Sequence, residues 1–218
     1  MANQSTEDYI KSIYRLEGEH QTVLTTSLAK HLGIGAGSVT DMLKKLSEKN
    51  LIHYEPYRGV KLTTKGKRLA LKMVRRHRLW EMFLVTFLNY RWDEVHDEAE
   101  RLEHETSDEL EVRIDKALGY PKVDPHGDPI PTANGELVEY SYNSLAECHV
   151  GDEGSVVRVS DDSPEVLKLL TKIGIGLNST IKLTHVIKFD GSVMIKLGNR
   201  EIPLSPVMAK SIFIDKGK

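Results

Sequence analysis

The sequence predicts an α+β protein with an N-terminal winged helix-turn-helix, an all-helical domain and a C-terminal small SH3-like β-barrel. Three observations predict this fold class. Two short helical patterns are joined by a glycine-containing turn, apolar residues recur at helical spacing through the centre, and short β-branched runs follow near the C-terminus. We place the domain limits at 1–72, 73–143 and 144–218.

The first domain begins with a helix over 5–18, which Ser5 or Thr6 can cap and which carries an apolar stripe. A second helix ends at Gly33 and a third follows after a short link, so the pair forms a helix-turn-helix. Two strand-like runs then flank residues 56–59, a turn signal. They predict a β-hairpin that serves as the wing.

The central domain is predicted as three helices, over 64–88, over 93–105 and from about Ser107 onwards. The first has an aromatic stripe that is either core or a dimer face: Trp80, Phe83, Leu84, Phe87 and Leu88. Residues 119–143 hold four of the eight prolines and are predicted as a linker without regular structure. Beyond it, short strands and one helix near 164–173 predict the small β-barrel.

The composition is that of a folded protein. The 218 residues are 39% apolar and 28% charged, which is too apolar for a disordered chain. No apolar run approaches the roughly 20 residues of a membrane helix, and the N-terminus lacks the pattern of a signal peptide. The single cysteine, Cys148, excludes an internal disulfide and a cysteine-based zinc cage. We expect a cytoplasmic protein without a membrane partner.

The net charge of −2 conceals blocks of different sign. Residues 1–76 carry a net charge of +7, residues 77–118 carry −7 and residues 119–218 carry −2. The basic block favours a polyanion as partner and the acidic block favours a cation, although solvated helix faces would explain the same pattern.

The third helix and the hairpin carry residues suited to reading DNA. Small or hydrogen-bonding side chains open the helix, and cations follow where phosphates would lie. The candidate DNA-binding residues are Gly35, Ala36, Gly37, Ser38, Thr40, Lys44 and Arg58. If six cations of this region neutralise phosphates, affinity falls about a thousandfold between 50 and 200 mM salt. The alternative is a helix-turn-helix that only contacts proteins.

The acidic block contains metal-ligand residue types at helical spacing. His77 and Glu81 are four residues apart, and a second group occupies relative positions 0, 4, 7 and 8. That group is His96, Glu100, Glu103 and His104. Converging carboxylates repel one another unless a cation lies between them, and carboxylates with imidazoles are ligands for divalent metals. For each residue alone, the alternative is a solvated or satisfied side chain.

The order of these motifs resembles the diphtheria toxin repressor family over essentially the whole chain. The winged helix is followed by HRLWE, VHDEAERLEHETSDE, PHGDPIP and a small β domain. The resemblance implies a metal-activated repressor, not an enzyme, that binds palindromic double-stranded operators of metal-uptake genes as a homodimer. The primary metal site that it implies consists of Asp8, Glu100, Glu103 and His104. The second site that it implies consists of His77, Glu81 and His96, joined by Asp124, His126 and a carboxylate of Asp161 or Asp162.

Three positions bear on which metal is bound. The iron-responsive branch of the family carries Met and Cys where this chain has Asp8 and Glu100, and two carboxylates favour Mn²⁺, with Fe²⁺ as the alternative. Lys11 stands where the short manganese regulators have a second glutamate, which argues against a binuclear cluster. From the residues alone, Asp8 is better explained as a carboxylate that caps its helix together with Ser5.

In this interpretation a metal ion joins Asp8 of the DNA-binding segment to Glu100, Glu103 and His104 of the dimerisation helices. Without the ion, carboxylate repulsion releases Asp8. Two other classes of protein fit less well. A metal-dependent hydrolase would need motifs that the sequence lacks, such as HExxH or a phosphate-binding glycine loop. A winged-helix regulator of a small organic effector would make the His/Glu groups surface residues, and we expect no organic substrate.

Overall fold

The computed structural model describes residues 4–19, 22–138, 140–161 and 163–217. Asp162, one of the two carboxylates considered for the second site, lies outside these ranges. The chain divides into two compact units. Unit one comprises Met1–His77, Arg101–Asp108 and Pro131–Leu137, and unit two comprises Arg78–Glu100, Glu109–Ile130 and Val138–Lys218.

Unit one contains the predicted helix-turn-helix and its hairpin. Its elements are α1 (Gln4–Glu19), α2 (Thr25–Leu32), α3 (Ala36–Glu48), β1 (Ile52–Glu55), β2 (Gly59–Leu62) and the first half of α4 (Thr64–Leu88). Gly33 closes α2 with a φ of 67°, a left-handed conformation that glycine adopts at little cost. Ile10, Leu28 and Leu43 of the three helices are wholly buried in one core. Since α3 buries only its apolar face, its opposite face is left exposed.

The hairpin of β1 and β2 is the predicted wing. The strands are antiparallel and pair Glu55 with Gly59 next to the turn. At the tip, Tyr57 has a φ of 66° and a fully exposed side chain. Nη1 of Arg58 lies 3.1 Å from Oε2 of Glu55. The tip therefore presents an aromatic and a basic side chain to solvent.

The start of α5 differs from the prediction. The helix spans His96–Glu105, three residues shorter than the predicted 93–105. Residues 93–95 form a turn instead, in which the amide of Glu94 donates to the carbonyl of Arg91 at 3.0 Å. The next helix, α6, spans Asp108–Ala117 as predicted.

The aromatic stripe of α4 is partly core and partly surface. Leu84 is buried, and Trp80 and Phe83 pack on a small cluster of unit two. The buried members of that cluster are Leu79, Ile114 and Ile130. Phe87 and Leu88, at the end of the helix, are 49% and 54% exposed. The core alternative is therefore confirmed for the first part of the stripe. The dimer face stays a prediction for its exposed end.

The β domain of unit two is a six-stranded antiparallel sheet in the order β3-β8-β4-β5-β6-β7. Its elements are β3 (Asn143–Ser144), β4 (Glu153–Val159), α7 (Pro164–Ile173), β5 (Thr180–Val186), β6 (Val193–Leu197), β7 (Arg200–Leu204), α8 (Pro206–Ser211) and β8 (Ile212–Asp215). The predicted fold class is confirmed. The 3₁₀ helix over residues 145–147, α8 and β8 were not predicted.

The linker before the β domain is irregular, as predicted. Its described residues contain an isolated bridge between Val123 and Pro129. Among the residues that the structure describes, no helix is both long and apolar enough to cross a membrane.

Candidate metal centres and DNA-binding surface

Helix α5 places Glu103 in unit one, in contact with side chains of α1 and α4. Glu103 is wholly buried, and its two carboxylate oxygens lie 2.8 and 2.7 Å from Nζ of Lys11. Its Oε2 also lies 2.6 Å from Nδ1 of His77. A buried carboxylate is costly unless it is paired and hydrogen-bonded. Here an ammonium and an imidazole satisfy it.

The ring of His104, the next residue on α5, lies against two carboxylates of α1. Its Nδ1 is 2.8 Å from Oε2 of Glu7, and its Nε2 is 3.0 Å from Oδ1 of Asp8. Nε2 nevertheless has no hydrogen bond of good geometry, although the side chain is only 5% exposed. A buried ring nitrogen in that state, beside a carboxylate, is suited to binding a cation.

We call these residues the unit-one pocket: Glu7, Asp8, Lys11, His77, Glu103 and His104. The pocket brings together three of the four predicted primary ligands, Asp8, Glu103 and His104. The fourth, Glu100, lies one turn before His104 on α5 and belongs to unit two. Sequence reasoning missed Glu7, although its position beside Asp8 was an available signal.

The capping role considered for Ser5 and Asp8 is not supported. Helix α1 begins at Gln4, so Ser5 and Thr6 lie inside the helix and neither is its N-cap. Glu7 is the acidic residue of the first turn. Asp8 instead faces His104, which makes the ligand hypothesis the better explanation of its position.

A second cluster lies within unit two, between α4 and the linker. It consists of Glu81, Asp124 and His126, each no more than 3% exposed, with ligand atoms within 4.8 Å of one another. The Asp124 carboxylate also organises the linker, because Oδ1 accepts hydrogen bonds from the amides of His126 at 2.8 Å and Asp128 at 2.9 Å. Its Oδ2 lies 3.3 Å from Nε of Arg78. We call Glu81, Asp124 and His126 the unit-two centre.

The orientation of His126 leaves one ring nitrogen directed at the carboxylates. Nε2 lies 2.7 Å from the carbonyl oxygen of Trp92, so this nitrogen carries the proton and donates it. In the neutral imidazole Nδ1 has a lone pair, and it lies 3.9 Å from Oε2 of Glu81 without a hydrogen-bond partner. The rings of Trp92 and His126 also stack, with centroids 5.8 Å apart. A buried orphan nitrogen beside two carboxylates fits a divalent cation, and Trp92 was not singled out from the sequence.

The pKa values in this centre are displaced in the direction expected of crowded carboxylates. Burial, followed by the charges of Glu81 and Asp128, raises the pKa of Asp124 to about 7, against the opposing effect of Arg78. For His126, burial alone would lower the pKa, but the carboxylates of Glu81 and Asp124 outweigh it and raise the pKa. The centre therefore retains protons that a bound cation would displace.

Two further predicted ligands lie at the edge of the unit-two centre. His96 is half exposed, and its Nδ1 lies 3.8 Å from Oε1 of Glu81. Asp161, which follows β4, belongs with Glu81 and His96 to a second group whose ligand atoms lie within 4.8 Å of one another. His77 is part of unit one, where it contacts Glu103, so its role in the second site stays a prediction.

The exposed face of α3 carries the predicted DNA-binding residues. Exposed residues among them are Gly35, Ala36, Gly37, Ser38, Lys44 and, on the wing, Arg58. Thr40 is half buried, and its hydroxyl donates to the carbonyl of Ala36 at 2.9 Å. Its methyl group, rather than its hydroxyl, is therefore the part available to a base.

The single cysteine lies in neither cluster. Cys148 is buried in the core of the β domain, where its Sγ donates to the carbonyl of Ser144. Burial raises the pKa of this thiol, which keeps it protonated. The candidate metal ligands of both clusters are therefore carboxylate oxygens and imidazole nitrogens.

A winged helix combined with buried carboxylate–imidazole clusters defines the class of metal-responsive DNA-binding regulators. Residues 1–60 match the iron dependent repressor N-terminal DNA binding domain, and residues 63–132 match its metal binding and dimerisation domain. Residues 143–216 match the FeoA domain. The chain belongs to the iron-dependent repressor family, which includes diphtheria toxin repressor, and is a metal-dependent transcriptional repressor.

The relatives of the chain include proteins named for iron and for manganese. The chain is 30% identical to the iron-dependent repressor IdeR of Mycobacterium leprae over 228 aligned residues, 97% of each protein. A solved structure described as a manganese-dependent transcriptional repressor complex with manganese is 40% identical, with a TM-score of 0.88 over 97% of this chain and 99% of that one. The manganese regulator SloR is 33% identical, with a TM-score of 0.78 over the whole of both chains.

Proposed function

We propose that this repressor is activated by Mn²⁺ and binds palindromic operators of metal-uptake genes as a homodimer. The observation that carries the choice of metal is the donor set, because both clusters offer carboxylates and imidazoles while the only thiol lies in the β-domain core. Mn²⁺ suits oxygen-rich sites, whereas sulfur ligands favour softer ions. The likeness to two structures named for manganese supports the same choice.

We assign two metal sites and three domains on this basis. The primary site uses Asp8, Glu100, Glu103 and His104, and the second uses Glu81, His96, Asp124, His126 and Asp161, with His77 as a further candidate. The domains are 1–72 for DNA binding, 73–143 for metal binding and dimerisation, and 144–218 for the β domain. A bound divalent ion would supply the positive charge that converging carboxylates need.

The residues of the primary site connect the DNA-binding helices to α5. Asp8 belongs to α1, which shares a core with α3, whereas His104 belongs to α5. When Asp8 and His104 share a ligand, α1 and the recognition helix are fixed in one position. Moving such an equilibrium from 1:99 to 99:1 needs about 5.5 kcal/mol. Two protomers fixed in this way can meet half-sites about one helical turn apart.

The exposed face of α3 is the proposed reader of base edges. Gly35, Ala36, Gly37 and Ser38 allow close approach of the backbone to the major groove, and the methyl group of Thr40 is suited to a thymine methyl. Lys44 and Arg58 would contact phosphates. Their current partners, Asp41 at 3.7 Å and Glu55 at 3.1 Å, are exposed carboxylates that release a cation at little cost.

Metal-dependent DNA binding is the first prediction. A palindromic site selected from random duplexes with the Mn²⁺-loaded protein is titrated in saturating Mn²⁺ and in EDTA, with fluorescence anisotropy as the readout. We expect at least a hundredfold tighter binding in Mn²⁺. Equal affinity in the two conditions would reject the proposal. Lys44→Ala serves as a control, since it should weaken binding at every site and reduce the salt dependence while preserving the response to Mn²⁺.

The second prediction concerns the choice between Mn²⁺ and Fe²⁺. Fe²⁺ is the alternative activator because the relative from Mycobacterium leprae is named as an iron-dependent repressor. In the double variant Asp8→Met/Glu100→Cys, two soft donors replace two carboxylates. We expect anaerobic titrations to show a preference for Mn²⁺ in the wild type and a shift towards Fe²⁺ in the variant. Glu105→Cys, which adds sulfur at an exposed position of the same helix, should leave the preference unchanged. An unchanged preference in the double variant would contradict Asp8 and Glu100 as the residues that select the metal, and a wild type that prefers Fe²⁺ would contradict Mn²⁺ as the activator.

A further inference from the structure

The side chain of Lys11 reaches into the unit-one pocket and places a positive charge at its most buried point. Nζ lies 2.8 and 2.7 Å from the two oxygens of Glu103 and 3.3 Å from Nδ1 of His77. The Lys11 side chain is 20% exposed, whereas the Glu103 side chain is wholly buried and that of His77 is 7% exposed. The ammonium therefore faces a carboxylate and an imidazole in a largely dry site.

These two partners are themselves a pair that could hold a metal ion. Nδ1 of His77 and Oε2 of Glu103 are 2.6 Å apart, and both contact the same ammonium nitrogen. A divalent ion bound by these atoms would have to lie where Nζ now lies. An ammonium group and a divalent ion placed so close together would repel each other strongly in a poorly hydrated pocket. The presence of one therefore excludes the other.

Helix α1 delivers this charge on the same face as its carboxylates. Glu7, Asp8 and Lys11 are spaced by three and four residues, which places them on one side of the helix. The two acids lie against His104, and the base lies against Glu103. Acidic and basic side chains of α1 therefore each contact a side chain of α5.

From this arrangement we propose that Lys11 is a resident cation of the metal pocket. Its ammonium group occupies one of the two cation positions in the pocket. The pocket therefore binds one divalent ion, beside Asp8 and His104. It excludes a second ion beside His77 and Glu103. It also holds α1 against α5 before any metal binds. The first part rests on the proposed metal site, whereas the second part is independent of it.

The test removes only the ammonium. Lys11→Met has a side chain of similar length, and Mn²⁺ bound per protomer is counted at saturation by calorimetric titration and elemental analysis. We expect the variant to bind one Mn²⁺ more than the wild type, at the freed His77–Glu103 position. Lys11→Gln, whose amide can still donate a hydrogen bond to Glu103, is a second neutral variant that should also gain the ion. Lys44→Met removes an exposed cation and should bind the same number of ions as the wild type.

A second readout concerns the protein in EDTA. Hydrogen exchange of the α1 amides should be at least tenfold faster in Lys11→Met than in the wild type, while Lys44→Met exchanges like the wild type. Wild-type ion counts in both neutral Lys11 variants would overturn the proposal for stoichiometry, and unchanged exchange would overturn the proposal for docking of α1. A wild type that binds no Mn²⁺ would reject the proposed function instead. The exchange experiment would still show whether Lys11 holds α1 against α5.

Discussion

His126→Ala is expected to abolish divalent-ion binding at the unit-two centre while the protein remains folded. The substitution removes Nδ1, the buried nitrogen that has no hydrogen-bond partner and lies beside Glu81. Calorimetry should record one Mn²⁺ fewer per protomer. At free Mn²⁺ a hundredfold above the dissociation constant, the site would contribute about 2.7 kcal/mol to the stability of the wild type, and the variant should lack that increment in thermal melts.

A control and a pH series make the His126 experiment specific. His149→Ala removes a histidine that is 90% exposed and should leave ion binding and melting unchanged. A full complement of Mn²⁺ in His126→Ala would contradict the role of this residue. Repeating the titrations at pH 6 and pH 8 adds a second readout, because protons compete with the ion for Asp124, whose pKa is raised to about 7.

The sign of the pH effect differs between the metal-free and the metal-bound protein. In the metal-free protein the neutral Asp124 carboxyl suits its buried position. Its stabilising contribution is therefore complete below the unfolded pKa of about 3.9 and is lost as the pH rises through about 7. Metal binding needs the ionised carboxylate, so affinity at this centre should rise over the same interval. The stabilisation by Mn²⁺ should accordingly be larger at pH 8 than at pH 6.

The sequence was informative where ligands share a helix and less so where they meet through packing. Helical spacing predicted Glu103 and His104 as candidate ligands on one helix, and both lie on α5. The ion pair of Lys11 with Glu103 joins residues 92 positions apart and depends on how α1 packs against α5. Spacing along the chain contains no information about that packing. Lys11 was identified from the family resemblance only as a departure, and its partner was not predicted.

The packing of α1 against α5 also changes the metal-free state that we expect. Carboxylate repulsion was expected to release Asp8 when no ion is bound. In unit one, however, Nδ1 of His104 contacts Glu7 and the ammonium of Lys11 neutralises Glu103. Both contacts attract α1 to α5. The switch that we propose therefore adds a ligand to a helix already held by an ion pair, which lowers the free energy that metal binding must provide.

The unit-two centre depends on the path of the linker, which irregular sequence does not reveal. Gly127 lies between His126 and Asp128 with a φ of 89°. The amide of Val159 on β4 donates to the carbonyl of His126 at 2.8 Å, and Nε of Arg158 lies 2.8 Å from Oδ1 of Asp128. The linker is thus held against β4 on both sides of this glycine. The β domain thereby helps to position Asp124 and His126, a role that composition alone did not indicate.

Gly127→Ala should therefore disrupt both the fold of unit two and its metal centre. A Cβ atom at this position would lie 2.1 Å from the carbonyl oxygen of Val157 and 2.8 Å from Cα of Arg158, both backbone atoms of β4. The linker would have to move away from the strand, and the positive φ adds strain for any residue with a side chain. We expect a loss of about 2–4 kcal/mol in the free energy of unfolding, measured by denaturant titration, and at least tenfold weaker Mn²⁺ binding at the unit-two centre.

Gly176→Ala is the matched control, since nothing lies within 4 Å of its Cβ position and it should change neither quantity appreciably. Wild-type stability and ion binding in Gly127→Ala would mean that the linker does not need its close contact with β4, and His126 would then owe its orientation to Trp92 alone.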